Sequence, residues 1–194
     1  MRRVLVLTGT PGVGKSSIGK LLAIRLSGRY VDLGDLVKTE RLHCGFDTLR
    51  ETLVADIERV SDRVETIIGQ TEGYTIVDGH FAMDVVSTTE VFLAFILRRD
   101  PDELKQVLKM RGFKPHKTAE NIAAEILDIC LVDAVKVYGE KKVCEVDVTG
   151  RSLEEVAHEI LAVIEGHKKC RVGVVDWLSK LESEGRIGEF LEAY

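Results

Sequence analysis

Eight consecutive residues carry the clearest chemistry in this chain: Gly9-Thr10-Pro11-Gly12-Val13-Gly14-Lys15-Ser16. They match G-x-x-x-x-G-K-S/T at every fixed position, and each residue type has a physical reason. Glycines let the backbone wrap so that successive N–H groups converge on an anion. A helix starting at about Gly14 aims the positive end of its dipole at the same point. Gly12, Val13, Gly14, Lys15, Ser16 and Ser17 are therefore the expected contacts for the phosphates of ATP. Lys15 would reach the β- and γ-phosphates, Ser16 would ligate Mg²⁺, and Ser17 adds a hydroxyl near the α-phosphate.

Asp78 ends the apolar run Tyr74–Val77. A carboxylate at the carboxyl end of a core strand can join Ser16 in holding the metal or its waters. The plainer alternative is a solvated strand-end aspartate. His80, two residues on, could position a water or phosphate, or only bond the backbone. Phosphoryl transfer spreads negative charge over the moving group, and arginines around it lower the barrier. Arg98, Arg99, Lys105, Lys109, Arg111, Lys114 and Lys117 crowd one stretch. Arg111 is the best candidate there, because it stands where a loop leaves a helix. For Lys114 and Lys117 a solvated basic face is the simpler reading. Phosphotransferases of this class hold the acceptor between the second and third core strands, where Asp35, Arg41 and Arg50 are the candidates.

The elements that must position these groups follow from periodicity. Residues 2–8 read as a buried strand. Ile18, Leu21, Leu22 and Leu26 fall at helical spacing. Tyr30–Leu33, Tyr74–Val77, Val91–Leu97 and Val143–Val148 read as further strands. Leu53, Val54, Ile57, Val60, Val64, Ile67 and Ile68 predict one helix from about Thr48 to Gly69. Pro101 suits the first turn of a helix ending near Arg111-Gly112. Phe113–Lys117 reads as a basic loop, followed by one longer helix with Ile122 through Val135 inside. Ser152 and Glu155 have capping-box spacing and open a helix to about Gly166. The apolar residues of the tail after Lys168 predict one or two short helices, broken at Gly185, that pack on the domain. Alternating strands and helices imply an α/β fold: three layers around a five-stranded parallel sheet.

Composition removes other classes. A net charge of -5 argues against strong direct binding to nucleic acid or anionic lipid. No apolar run approaches the roughly 18 residues of a membrane span. The opening MRRVLVLTGTPG mimics a signal peptide, but its apolar run is too short for one. Cys44, Cys130, Cys144 and Cys170 form no C-x-x-C pair, so neither a zinc site nor a disulfide framework is expected. Reduced thiols in the cytoplasm are the default.

GTPGVGKSS, VDLGDLVKTERLHCGFD, IVDGHFA, LRRDP and RGFKPHKTAENIAAEILD occur in this order and at this spacing. Together they resemble the archaeal and nuclear adenylate kinases of the isoenzyme-six family. The resemblance covers about Arg3 to Gly166. It implies a P-loop NTPase fold over 1–167, with a nucleoside-monophosphate-binding insert at about 34–57 and a short lid at about 110–120. Residues 168–194 would form a helical extension. It also implies phosphorylation of AMP, and often of other nucleoside monophosphates, by ATP with Mg²⁺, together with ATPase activity. A role in small-ribosomal-subunit maturation, through a small-subunit ribosomal protein and the pre-ribosomal small subunit, comes with the resemblance. Lys15, Asp78, His80 and Arg111 take the catalytic positions. Many members carry an earlier arginine one helical turn before the lid arginine; here that position is Val107, with Arg98 or Arg99 as replacements. Two other functions compete: a ribosome-assembly ATPase with weak kinase activity, and a small-metabolite kinase on the same fold.

Overall fold

The computed structural model describes residues 2–48 and 52–191. Five strands form a parallel sheet: β1 (Arg3–Thr8), β2 (Arg29–Asp32), β5 (Tyr74–Asp78), β6 (Val91–Arg98) and β7 (Val143–Asp147). Their order is β2-β5-β1-β6-β7. Two further strands, β3 (His43–Asp47) and β4 (Thr52–Ala55), make a separate antiparallel hairpin. Both faces of the large sheet are covered, so its central strands are apolar without alternation. Side chains of β1 still alternate in direction. Leu5 and Leu7 enter one half of the core, and Val4 and Val6 the other.

The Leu5 side is covered by α1 (Lys15–Arg25), α5 (Pro101–Met110), α6 (Pro115–Ile126), α8 (Leu153–Ile164), α9 (Trp177–Ser183) and α10 (Gly188–Leu191). The Val4 side is covered by α2 (Leu33–Thr39), α3 (Ile57–Gln70), α4 (Ala82–Val85) and α7 (Ile129–Tyr138). Helix starts follow local chemistry. Asp100 accepts from the backbone of Asp102 at 2.9 Å ahead of Pro101, and Ser152 with Glu155 closes a complete capping box.

Four expectations need correction. The single helix from Thr48 to Gly69 does not form. Thr52–Ala55 pairs with His43–Asp47, and α3 begins only after Asp56, whose side chain caps Arg59 N at 3.3 Å. Leu53 and Val54 fitted the helical period by coincidence; on a strand they point to opposite sides, and Val54 is exposed. The long helix after the basic stretch is also two helices. Asp128 breaks it with a positive φ of 56°, and its carboxylate pairs with Arg98. The basic loop at 113–117 shrinks to a turn, because Pro115 already opens α6.

The fourth correction concerns the thiols: Cys144 and Cys170 are joined in a disulfide with a Cα–Cα separation of 4.8 Å. Spacing along the chain could not show this, since the two lie 26 residues apart. The segment after α8 returns along β7. Glu145 N donates to Arg171 O at 2.8 Å, so the extension covers an otherwise open sheet edge. It then buries Trp177, Leu181 and Phe190 in the core.

Arg98, at the end of β6, is the largest fully buried side chain, at 1% exposure. Its guanidinium binds Glu125 at 2.8 Å, Glu145 at 2.5 Å, and Asp128. It is therefore not available to replace the missing phosphate-side arginine. Burial disfavours its charge, but the surrounding carboxylates outweigh that and raise its pKa. Removing one partner of a buried ion cluster costs about 3–5 kcal/mol, because the others stay buried without compensation. Arg98→Met should therefore lower the melting temperature by about 10 °C or more for a chain of this size. Calorimetry of the full chain measures this, and a shift below about 3 °C would mean that the carboxylates find other partners.

Candidate functional site

The phosphate loop joins β1 to α1 at the carboxyl edge of the sheet, the place where open α/β sheets bind ligands. Gly9, Gly12 and Gly14 have φ of 135°, 98° and 101°, in the region only glycine enters freely. At Gly9 a Cβ would sit 2.5 Å from Leu97 O, and at Gly12 2.9 Å from Leu104 Cδ1. The sheet behind and α5 beside the loop thus need glycine at these two positions.

Lys15 opens α1, with Gly14 as its N-cap. Its ammonium donates to Gly9 O at 2.8 Å and Thr10 O at 3.0 Å, arching back over the loop. Burial, opposed by Asp78 and aided by Arg111, lowers its pKa. Arg111, the C-cap of α5, is exposed and close enough to Lys15 to repel it. The side chain of Val107 lies against Gly12, one turn before Arg111. Arg99 pairs with Glu103 at 3.4 Å on the first turn of α5.

Asp78 is only 3% exposed at the end of β5. Its Oδ2 accepts from Ser16 Oγ at 2.8 Å and Tyr30 OH at 2.7 Å. Burial raises its pKa, against the pull of those donors and of Lys15. Burial, with the Asp78 carboxylate adding to it, pushes the Tyr30 phenol well above its ordinary value. An exposed hydroxyl beside a strand-end carboxylate is an oxygen-only donor pair. Among the described residues no group of three or more His, Cys, Asp or Glu could hold a metal by itself. This fits Mg²⁺, which binds through one or two protein oxygens plus phosphates and waters. Ser16 and Asp78 would be those oxygens.

His80 follows in the turn after β5, solvent-touched, with its ring edge-on to Phe81 at 5.2 Å between centroids. The protein around it, and then the Lys15 ammonium, lower its pKa, so the imidazole is neutral near pH 7. Ser17 is exposed on the first turn of α1.

On the acceptor side, Asp35 lines a cavity of about 520 Å³ together with Lys20, Tyr30, Asp32, Gly34 and Lys38. Arg41 does not line it. It sits in the turn before β3 with φ 55°, and its carbonyl accepts from Arg59 at 3.5 Å. Arg50 lies outside the described residues. Sequence reasoning missed Tyr30, Asp32, Lys20 and Lys38. One signal was present: Val31-Asp32 and Val77-Asp78 both end parallel strands, and Asp32 stands beside Asp78 in the sheet register.

Residues 5–128 match the family described as AAA domain. The chain is 39% identical over 176 residues to a protein of Methanocaldococcus jannaschii named "Putative adenylate kinase", covering 91% of this chain and 93% of that one. A relative of the same name in Thermococcus kodakarensis is 38% identical over 182 residues, covering 90% of this chain and 92% of its own length. Among solved structures, shikimate kinase from Acinetobacter baumannii superposes with a TM-score of 0.60 at 16% identity, over 87% of this chain and 96% of that one. Thymidylate kinase from Candida albicans gives 0.55 at 17%, over 86% and 92%. These two show the fold alone: the three-layer P-loop NTPase architecture. Matched over about nine-tenths of its length with these archaeal sequences and carrying the phosphate loop intact, the chain belongs to their family of P-loop nucleotide kinases.

Proposed function

We propose that the chain transfers the γ-phosphoryl group of ATP to AMP, forming two ADP, and accepts other nucleoside monophosphates more slowly. One observation carries this reading. The Ser16 hydroxyl and the Tyr30 phenol both donate to the Asp78 carboxylate, which also feels the Lys15 ammonium, so polar groups run from the phosphate loop to the 520 Å³ cavity beyond β2. A cavity of that size suits a nucleoside monophosphate. Lys20 and Lys38 on its wall supply positive charge for a phosphate, and Asp35 and Asp32 supply acceptors for sugar or base. Arg41 and Arg50 would complete the acceptor clamp from the hairpin side.

ATP would lie with its phosphates on the amides of Gly12 to Ser17. No protein nucleophile is needed, because positioning and charge stabilisation supply the catalysis. Lys15 is already held over the loop by two carbonyls and has only to exchange them for phosphate oxygens. Arg111, in reach of Lys15's field, would neutralise charge growing on the transferred group. His80, neutral at pH 7, can orient a water or phosphate oxygen without adding charge. Ser16 and Asp78 would hold Mg²⁺, which would supply charge neutralisation for the phosphates. The segment 110–120 carrying Arg111 would act as the lid that excludes water. Hydrolysis of ATP is the expected side reaction when AMP is absent.

The ribosome-assembly reading, with a small-subunit ribosomal protein as partner, draws its support from the sequence resemblance to the isoenzyme-six family. ADP formation stimulated by such a protein but not by AMP would favour it. Stimulation by a small alcohol instead would favour the metabolite kinase.

A coupled assay of ADP production, with each nucleoside monophosphate in turn, tests the proposal directly; AMP should give the highest rate. Lys15→Ala should abolish that turnover with the fold retained by circular dichroism, and surviving turnover would refute the site. Arg111→Ala should lower kcat by about 10²-fold or more, and a wild-type rate would return Arg111 to a solvated role.

Asp78 yields a pH prediction. Its pKa is higher folded than unfolded, so the folded state holds the proton more tightly. The resulting stabilisation is present in acid and lost as pH rises through the folded pKa. Asp78→Asn, permanently neutral, should therefore melt higher than wild type at pH 7 without nucleotide. The gap should close as pH falls into the carboxyl range, and turnover should drop about 10²-fold. A lower melting temperature at pH 7 would show that the Lys15 and Tyr30 contacts outweigh burial.

A further inference from the structure

Glu125 lies on α6, outside the residues assigned above to phosphates, metal or acceptor, yet it touches the phosphate loop. It is 2% exposed. Its Oε2 accepts from Thr10 Oγ1 at 2.7 Å. Its Oε1 accepts from Arg98 Nε at 2.8 Å, Arg99 N at 3.1 Å and Trp177 Nε1 at 3.1 Å. If the carboxylate served only to neutralise Arg98, Glu145 and Asp128 would suffice. What Glu125 alone does is reach from the core to Thr10.

Thr10, the second residue of the loop, is 2% exposed. Its hydroxyl is tied to Glu125, and its carbonyl accepts from Lys15 Nζ at 3.0 Å. Within the loop, the bond from Val13 N to Thr10 O is long, 3.5 Å, and three of its glycines sit at positive φ. The Lys15 ammonium ties the loop's carbonyls from within, but the Thr10 side chain is held only from outside it, by Glu125. A buried hydroxyl donating to a carboxylate is one of the stronger ways to hold it.

We propose that Glu125 is a positioning residue that sets the phosphate loop through Thr10, and that Trp177 of the C-terminal extension fixes Glu125 in turn. The extension thus contributes to nucleotide affinity although it stands apart from the nucleotide site. This rests on the loop's reading as a nucleotide phosphate site. Substituting Glu125 itself would disturb the Arg98 cluster and could prevent folding, so the test uses the two ends of the chain of contacts.

Titration calorimetry with ADP and Mg²⁺ on the full chain compares wild type with Thr10→Val, Thr10→Ser and Trp177→Phe. Thr10→Val should weaken ADP binding about tenfold, the scale of one charged hydrogen bond. Thr10→Ser keeps the hydroxyl and should restore affinity to within about threefold of wild type. Trp177→Phe keeps the packing, loses the N–H and should weaken binding about threefold. In turnover, KM for ATP should rise in the same order while KM for AMP stays at its wild-type value. Loss of melting temperature with unchanged ADP affinity in both Thr10→Val and Trp177→Phe would reduce the contacts to a structural role and overturn the proposal. Wild-type protein that binds neither ADP nor ATP would overturn the nucleotide reading itself, a result distinct from equal binding by all four proteins.

Discussion

One buried guanidinium sets the terms for the rest of the molecule. Arg98 gathers the buried Glu125 and Glu145 and the partly exposed Asp128, and each carboxylate then serves a different part of the fold. Glu125 holds Thr10 and Trp177, Glu145 accepts Val174 N at 2.6 Å, and Asp128 turns α6 into α7. Three negative charges around one positive charge would be unstable by themselves. They are tolerable because neutral donors from the phosphate loop, from Arg99 and from the extension bond Glu125 and Glu145. The arrangement therefore demands all those segments at once, which favours one packing over alternatives.

This explains which parts of the structure were legible in the sequence. The central strands β1, β5 and β6 are short, mainly apolar runs bounded by turns, and their burial on both faces leaves that pattern in the residue types. The phosphate loop is local, so eight residues suffice to specify it. The hairpin was hidden because Leu53 and Val54 fit a helical period as well as a strand, and two apolar residues cannot choose between them. Asp128 was hidden because a left-handed residue in a helical pattern has no signature unless it is glycine. Arg98 read as a phosphate contact because it stands in a basic stretch, and only its burial shows that its charge is consumed inside. The pairing of Cys144 with Cys170 depended on the extension folding back along β7, a long-range event.

The candidate acceptor cavity was least legible for a related reason. Its lining comes from three places: Lys20 on α1, Tyr30 and Asp32 on β2, and Asp35 and Lys38 on α2. No two of these form a motif of fixed spacing. The adjacency of Asp32 and Asp78 is a matter of strand register, which exists only once β2 has chosen β5 as its neighbour.

The neighbouring carboxylates Asp32 and Asp78, with the Tyr30 phenol between them, also say something about how the site is kept ready. Like charges at adjacent strand ends repel, and burial adds to the cost at Asp78. Tyr30 OH donates to Asp78 at 2.7 Å and lies 3.4 Å from Asp32, so its one proton goes to the carboxylate that burial burdens more. Gly19 has no Cβ because one would meet the Tyr30 ring at 2.6 Å, so α1 itself locks that phenol in place. The same helix presents Lys15 and Ser16 at its start. The candidate phosphate, metal and acceptor groups are thus all referred to α1. Groups tied to one helix in this way hold their charges in fixed places, which is the condition under which they stabilise a transition state most effectively.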